Sequence, residues 1–338
     1  MLINIFSFRP EELESRLKEH FPAFRYRQLM HWLYEKLVFD PQQMTDLPAS
    51  MKTFLFRNFS FILPQIDAVQ TADDGTAKYR LRLEDGMVIE MVLMPNDKKR
   101  TLCVSSQVGC ARACAFCATG KMGLKRNLQV HEIVGQILLA ASICQPQRLS
   151  NLVFMGMGEP LDNLDSVLAS LRIIQAENSL TFSPRRTTVS SCGLPEQIRQ
   201  LADSKVRTKL AISLNSAIDA KRDILMPVNK AHPLPELKRA LIYYLNKVNY
   251  KVTFEYILIP EVNMGAQDIK ALKRFVGDLS CNINFIPYNS VPGLLYHSPS
   301  DQEIEGFLSR AQVLNQPITL RRSKGAGILG ACGQLAGT

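Results

Sequence analysis

The chain has 338 residues, of which 46% are hydrophobic and 21% charged, with a formal net charge of +9. Those values suit a globular protein of one large domain and a small accessory one, and exclude a disordered or fibrous chain. No apolar run reaches the roughly 18 to 20 residues of a membrane span, and no secretory leader is read at the start, so a cytoplasmic location is expected.

In chain order, residues 11–20 and 25–37 carry apolar residues at helical spacing, punctuated by Pro22, Pro41 and Pro48. Phe24-Arg25-Tyr26-Arg27 and His31-Trp32-Leu33-Tyr34 mix basic and aromatic side chains as RNA-contacting surfaces do, although the helical spacing makes Trp32 a core residue. Residues 78–83 and 87–94 read as strands joined at Glu84-Asp85-Gly86, a hairpin signal. From residue 101 the pattern becomes strand then helix, repeated. Strands are predicted at 102–105, 151–155, 186–190, 209–214, 252–259 and 282–287. Helices are predicted at 131–142, 164–175, 195–203, 234–246, 266–276 and 301–313, with a last strand at 318–322. Six βα units in a row predict a parallel sheet covered by helices; an open, partial (β/α)6 TIM-like barrel fits better than an eight-unit barrel, with a doubly wound sheet as the alternative. The divisions read are a helical accessory domain at 1–75, a β-hairpin extension at 76–100, the barrel at 101–322 and a flexible Gly-rich tail at 323–338.

The eight cysteines are 103, 110, 114, 117, 144, 192, 281 and 332. Such a count in an intracellular chain points to metal or redox chemistry before structural disulfides. Cys110-Ala-Arg-Ala-Cys114-Ala-Phe-Cys117 is a C-x₃-C-x₂-C loop. Structural zinc sites want four closed ligands, commonly as separated pairs. Three thiolates in one tight loop suit a cubane iron–sulfur cluster that keeps one iron without a protein ligand. A zinc site is the competing reading. Strand C-termini carry the other unusual residues: Gly156-Met157-Gly158-Glu159-Pro160, Ser190-Ser191, Ser213-Leu214-Asn215 and Asn289. That is where ligands bind in either α/β architecture. Cys144, Cys192 and Cys281 lie in apolar or strand-like stretches and read as structural. The basic groups Lys98-Lys99-Arg100, Arg185-Arg186, Lys221-Arg222 and Arg321-Arg322 with Lys324 each read as solvated surface, and together as a phosphate-binding face. The five histidines form no ligand-spaced pair.

The C-x₃-C-x₂-C spacing resembles the radical S-adenosylmethionine (SAM) superfamily. Thr101-Leu-Cys-Val-Ser-Ser-Gln-Val-Gly-Cys110, Phe116-Cys-Ala-Thr-Gly-Lys121, Phe154-Met-Gly-Met-Gly-Glu-Pro160 and Ala331-Cys-Gly-Gln-Leu-Ala-Gly337 resemble, more closely, the RlmN/Cfr family of RNA adenine C2/C8-methyltransferases. The resemblance implies a [4Fe-4S] cluster on Cys110, Cys114 and Cys117. It also implies SAM contacts at Gly158, Glu159, Ser190, Ser213, Leu214, Asn215 and Asn289, with Ser190 uncertain by one position and Asn215 standing where many members have His. Cys332 corresponds to the family's methyl-carrying cysteine, Cys103 to its resolving cysteine, and Glu90 to the acceptor of the ring proton. By residue pattern alone Cys103 would be core and Glu90 solvent-facing. The family's scheme methylates the carrier, adds its carbon to an adenine ring and releases product through a transient Cys103–Cys332 disulfide. Implied partners are 23S ribosomal RNA, tRNA and a low-potential electron donor such as flavodoxin, with the enzyme a monomer. Gly158-Glu-Pro-Leu-Asp-Asn163 looks more like RlmN, favouring C2 over a Cfr-like C8 outcome. The tail Gly325-Ala-Gly-Ile-Leu-Gly-Ala-Cys332 lacks an acid many members carry, which leaves open a divergent paralogue with another substrate. From another class, a zinc-stapled RNA-binding protein without catalysis competes.

Overall fold

The computed structural model describes residues 2–97 and 99–337; Met1, Thr338 and Lys98, the last from one of the basic groups above, lie outside the described residues. Three N-terminal helices, α1 (Pro10–Lys18), α2 (Ala23–Met30) and α3 (Ala49–Asn58), surround a core of Phe6, Leu13, Leu17, Leu29, Leu33 and Leu55. The helix predicted to run on to residue 37 changes hand-hold after α2, into a π-helical turn at His31–Glu35. Trp32 is only partly buried, and its indole N–H donates to Asp46. Val134 and Leu138 of the barrel's first helix enter the same core, so it is shared with the larger domain.

A separate pair of short strands, Gln107–Gly109 and Leu124–Asn127, flanks the cysteine loop, and one ten-stranded sheet carries most of the rest. Its strands are β1 (Gln65–Thr71), β2 (Ala77–Arg82), β3 (Val88–Asn96), β4 (Lys99–Cys103), β5 (Asn151–Phe154), β6 (Thr187–Ser191), β7 (Lys209–Ser213), β8 (Val252–Leu258), β9 (Cys281–Pro287) and β10 (Ile318–Leu320). They lie in strict chain order. β1 to β4 are antiparallel and β4 to β10 parallel. A doubly wound sheet reverses its order at a switch point; this one never does, so the structure is the open barrel. The predicted hairpin is present, with Gly86 at φ +82° in its turn, and continues into the barrel sheet through the Val92–Cys103 register. β1, unpredicted, adds a further strand whose residues are all exposed.

The covering helices are α4 (Val130–Cys144), α5 (Leu164–Gln175), α6 (Pro195–Asp203), α7 (Leu234–Lys247), α8 (Ala266–Val276) and α9 (Asp301–Ala311). Local chemistry fixes their starts: Pro195 opens α6 at its first position, and a Ser300–Glu303 capping box opens α9. Period-two alternation on β8 divides its side chains. Phe254 and Tyr256 face the helices, meeting Phe275 edge-on at 5.7 Å and stacking on Phe307 at 6.3 Å. Glu255 and Ile257 face the lumen instead. No helix among the described residues is long and apolar enough to cross a membrane.

Candidate active site

The strand C-termini open onto a lumen cavity of about 150 Å³. Cys110, Cys114, Cys117, Gly158, Glu159, Ser190, Ser213, Asn215 and Cys332 all line it. Ser191 lines it too, so both candidates at that position face the lumen. Leu214 does not: its N–H donates to Glu255 O at 2.9 Å and its carbonyl accepts from Arg222 Nε at 3.1 Å. Asn289 also stands outside the lining, donating to Ser323 Oγ at 2.8 Å and Cys332 O at 3.4 Å. A smaller adjoining cavity, about 30 Å³, is lined by Cys103, Met155, Arg321 and Cys332.

The cysteine loop fits a cluster. Its three thiols face one space, and backbone amides already address the sulfurs: Arg112 N lies 3.5 Å from Cys110 Sγ, while Thr119 and Gly120 amides address Cys117. A Cβ on Gly120 would approach Cys114 N at 3.0 Å, so the loop packs tightly on itself there. Burial pushes the Cys110 thiol up to about 12 and raises Cys114 and Cys117 as well. Thiols so placed ionise when a metal takes them.

Glu159 is buried at the head of the Gly-Glu-Pro loop. Its Oε1 accepts from Leu161 N at 3.0 Å and its Oε2 from Cys192 N at 2.7 Å, while burial raises its pKa. Gly158 takes φ +102°, where a Cβ would also run into Gln107, and Gln107 Oε1 accepts the Glu159 N–H at 2.9 Å. Asn215, at φ +56°, spends its amide oxygen on Ile257 N at 3.0 Å and turns its NH₂ to Met226 Sδ at 3.3 Å.

Glu90 corrects its residue-pattern reading, being fully buried. Lys78 Nζ lies 3.1 Å from its Oε1, and the Ala336 and Gly337 amides donate to its Oε2 at 2.9 and 3.2 Å. The partner is 246 residues away, which no local pattern reveals. The tail is likewise folded into the barrel mouth where a flexible segment was expected. Gly333 O accepts from Ala118 N at 2.7 Å, Leu335 O from Thr119 Oγ1 at 2.6 Å, and Gln334 Nε2 donates to Ser290 O at 2.9 Å.

Other side chains depart from their readings. Cys144 and Cys281 are core thiols, but Cys192 lies in the cavity wall beside Glu159. Arg222, read as surface, is fully buried and donates to the carbonyls of Leu214 and Cys192 and to Asn229 Oδ1. Arg112, bidentate on Asp162, and the lumen residues Met155 and Glu255 were not anticipated, and Arg321, read as surface, lines the lumen. A lone charge on an otherwise apolar strand was the available signal for Glu255.

An open βα barrel with three thiols of a C-x₃-C-x₂-C loop facing a lumen and a Gly-Glu-Pro loop beside them defines the radical SAM class. Residues 104–276 match the Radical SAM superfamily, and residues 3–60 match the ribosomal RNA large subunit methyltransferase N-terminal domain. The chain is 42% identical over 324 residues to the dual-specificity RNA methyltransferase RlmN of Desulfotalea psychrophila, covering 93% of this chain and 89% of that one. It is 39% identical to the probable RlmN of Dictyoglomus turgidum, covering 98% and 96%. A radical SAM methyltransferase of known structure from Sphaerobacter thermophilus superposes with a TM-score of 0.95 at 38% identity, over 99% of this chain and all of that one. The chain belongs to the RlmN family of radical SAM RNA methyltransferases, and is a SAM-dependent enzyme.

Proposed function

We propose that this enzyme methylates an adenine ring carbon, C2 rather than C8, in 23S ribosomal RNA and in tRNA, using a methyl group carried on Cys332. One observation carries the reading: Cys332 lines both the cavity of the cysteine loop and the small cavity of Cys103. A carrier thiol must be reached from the cofactor side when it is loaded and from the resolving thiol when it is released. The relatives' name, dual-specificity RNA methyltransferase, supports two RNA classes. The Gly158-to-Asn163 sequence supports C2.

Cys110, Cys114 and Cys117 would hold the cluster, leaving one iron open. Gly158, Glu159, Ser190, Ser213 and Asn215, which line the cavity, would hold SAM; Leu214 and Asn289, outside its lining, would support that wall. When bound, cluster and SAM supply one-electron cleavage to a carbon radical able to activate an inert methyl group. The chain does the rest. An adenine ring carbon is not a nucleophile, so the carbon is delivered from Cys332 as a thioether substituent. Glu90 takes the ring proton, which requires the Ala336 and Gly337 amides to leave its Oε2; Lys78 keeps the carboxylate in place when they do. Cys103 then attacks Cys332 and frees the methylated base, forming a disulfide. RNA would lie against the N-terminal domain, where Arg25 sits over the exposed Phe24 ring at 4.7 Å. The enzyme would work as a monomer in the cytoplasm, with flavodoxin or a similar low-potential donor.

Denaturing gels of two variants test this. Cys103→Ala, expressed with RNA, gives an RNase-sensitive shifted band, because addition proceeds and resolution does not. Cys332→Ala and the double variant give none. Multiple turnover by Cys103→Ala without an adduct would contradict the scheme.

A further inference from the structure

The lumen holds a cation that the scheme above leaves without a role. Arg321 follows β10, its backbone N–H donating to Phe285 O at 2.8 Å. The side chain is partly buried and lines both cavities, so it stands beside Cys103 and Cys332 together. Its Nη1 lies 3.8 Å from Met155 Sδ. Among the described residues it pairs with no carboxylate: Lys78 takes Glu90, Arg112 takes Asp162, and the adjacent Arg322 takes Asp301. Across the lumen Glu255 is buried as well, its Oε1 accepting from Asn284 Nδ2 at 3.1 Å and its Oε2 without a partner. Glu255 favours the Arg321 charge through space without pairing with it directly; a guanidinium drawn from water with no direct ion pair is costly, so such a group is retained where negative charge develops.

We propose that Arg321 is a positioning residue for the resolving step, holding the thiolate of Cys103 as it attacks Cys332. The proposal rests on the two-cysteine reading above. In that step Cys103 has lost its proton and its sulfur forms a bond to Cys332 Sγ. The bond from Cys332 Sγ to the methylene carbon breaks, and its electron pair leaves on carbon, which gains a proton to become the product methyl group. The two sulfurs are oxidised by two electrons and the carbon is reduced by the same two, so the step balances without another reagent.

The surroundings of Cys103 offer its thiolate little else. Val92 and Met94 of β3, Val153 of β5, Met155 just after it, and Ile286 of β9 present apolar groups or a thioether, and Ser323 adds only a neutral hydroxyl, already accepting from Asn289. Lys324 lines the cavity, but its ammonium donates to Pro95 O. Glu90, two residues along β3 from Val92, is held by Lys78 and the tail amides. Burial and the neighbouring Cys332 push the Cys103 thiol up to about 12, against which the Met155 amide and Arg321 pull down.

The test compares wild type, Arg321→Gln, Arg321→Lys and Cys103→Ala, each with cluster, SAM and RNA, on denaturing gels at pH 7 and pH 9. Iron content and SAM cleavage without RNA confirm that each variant is intact. Arg321→Gln should accumulate adduct at pH 7, resolving about tenfold more slowly, and lose most of it at pH 9, where the thiolate fraction of Cys103 is about a hundredfold higher and offsets the missing cation. Arg321→Lys, which keeps the charge, should accumulate little at either pH. Without RNA, alkylation of Cys103 at pH 9, read by mass spectrometry, should be about tenfold slower in Arg321→Gln than in wild type. An Arg321→Gln enzyme that turns over normally at both pH values, or holds equal adduct at both, overturns the role of Arg321. Absence of adduct from Cys103→Ala overturns the two-cysteine reading, and this proposal with it.

Discussion

Replacing Gly158 with alanine puts a methyl group where the Gly-Glu-Pro loop meets the barrel wall. The added Cβ would lie 2.6 Å from Gln107 Cβ and 2.8 Å from both its Cγ and backbone N, at φ +102°. The backbone conformation alone costs about 1–3 kcal/mol, and forcing a neighbour aside adds about 1–3 kcal/mol. Gly86 separates the two effects, because it has φ +82° with nothing within 4 Å of its Cβ position. Gly158→Ala should therefore lose about 2–6 kcal/mol, and Gly86→Ala only the first part. At about 2 °C per kcal/mol for a chain of this size, Gly158→Ala should melt about 4–12 °C below wild type. Function should fall with it: Gln107 holds the Glu159 N–H at 2.9 Å, so moving Gln107 moves the buried carboxylate. Calorimetry of the three proteins and equilibrium binding of SAM make the check. Equal melting of the two variants, within about 1 °C, with SAM affinity intact in Gly158→Ala, would refute the reasoning.

Cys110→Ala, Cys114→Ala or Cys117→Ala should each abolish iron binding and SAM cleavage, since one cluster iron is left under-ligated; near-normal iron content in any of them would count against the ligand set. Lys78→Met should lose about 3–5 kcal/mol by leaving Glu90 as an unpaired buried charge, and Lys78→Met with Glu90→Gln should recover most of it, as urea unfolding will show. His131, whose ring nitrogen meets Ser7 Oγ at 3.2 Å, has its pKa lowered, mainly by burial. The folded state therefore favours the neutral ring: the stability it contributes is present above the ordinary imidazole pKa of about 6.5 and lost as pH falls below it. His131→Asn should flatten the decline in stability between pH 7 and pH 5 measured by chemical denaturation.

Which parts of this molecule were legible in its sequence follows from how local their causes are. α5, α6 and α8 fall where they were read, because their apolar spacing is strong and two of them begin at a proline or a capping residue. β1 escaped notice because all its residues are exposed, so no alternation marks a buried face. The cysteine loop and the Gly-Glu-Pro loop were legible because each is one short segment. Glu90 was not: its burial comes from a tail that arrives at the far end of the chain. Arg222 shares a basic pair with Lys221, yet helix geometry turns Lys221 to Asp268 and Arg222 inward to the carbonyls. Cys192, Glu255 and Arg321 became part of the site only when strand ends from separate βα units converged on one lumen.

Mass spectrometry of nucleosides from 23S ribosomal RNA and tRNA, isolated from cells with and without this gene, addresses the central claim. The account predicts 2-methyladenosine in both RNAs when the gene is present, its loss when the gene is deleted, and no return with Cys332→Ala. Unchanged 2-methyladenosine on deletion, or 8-methyladenosine in its place, would contradict it.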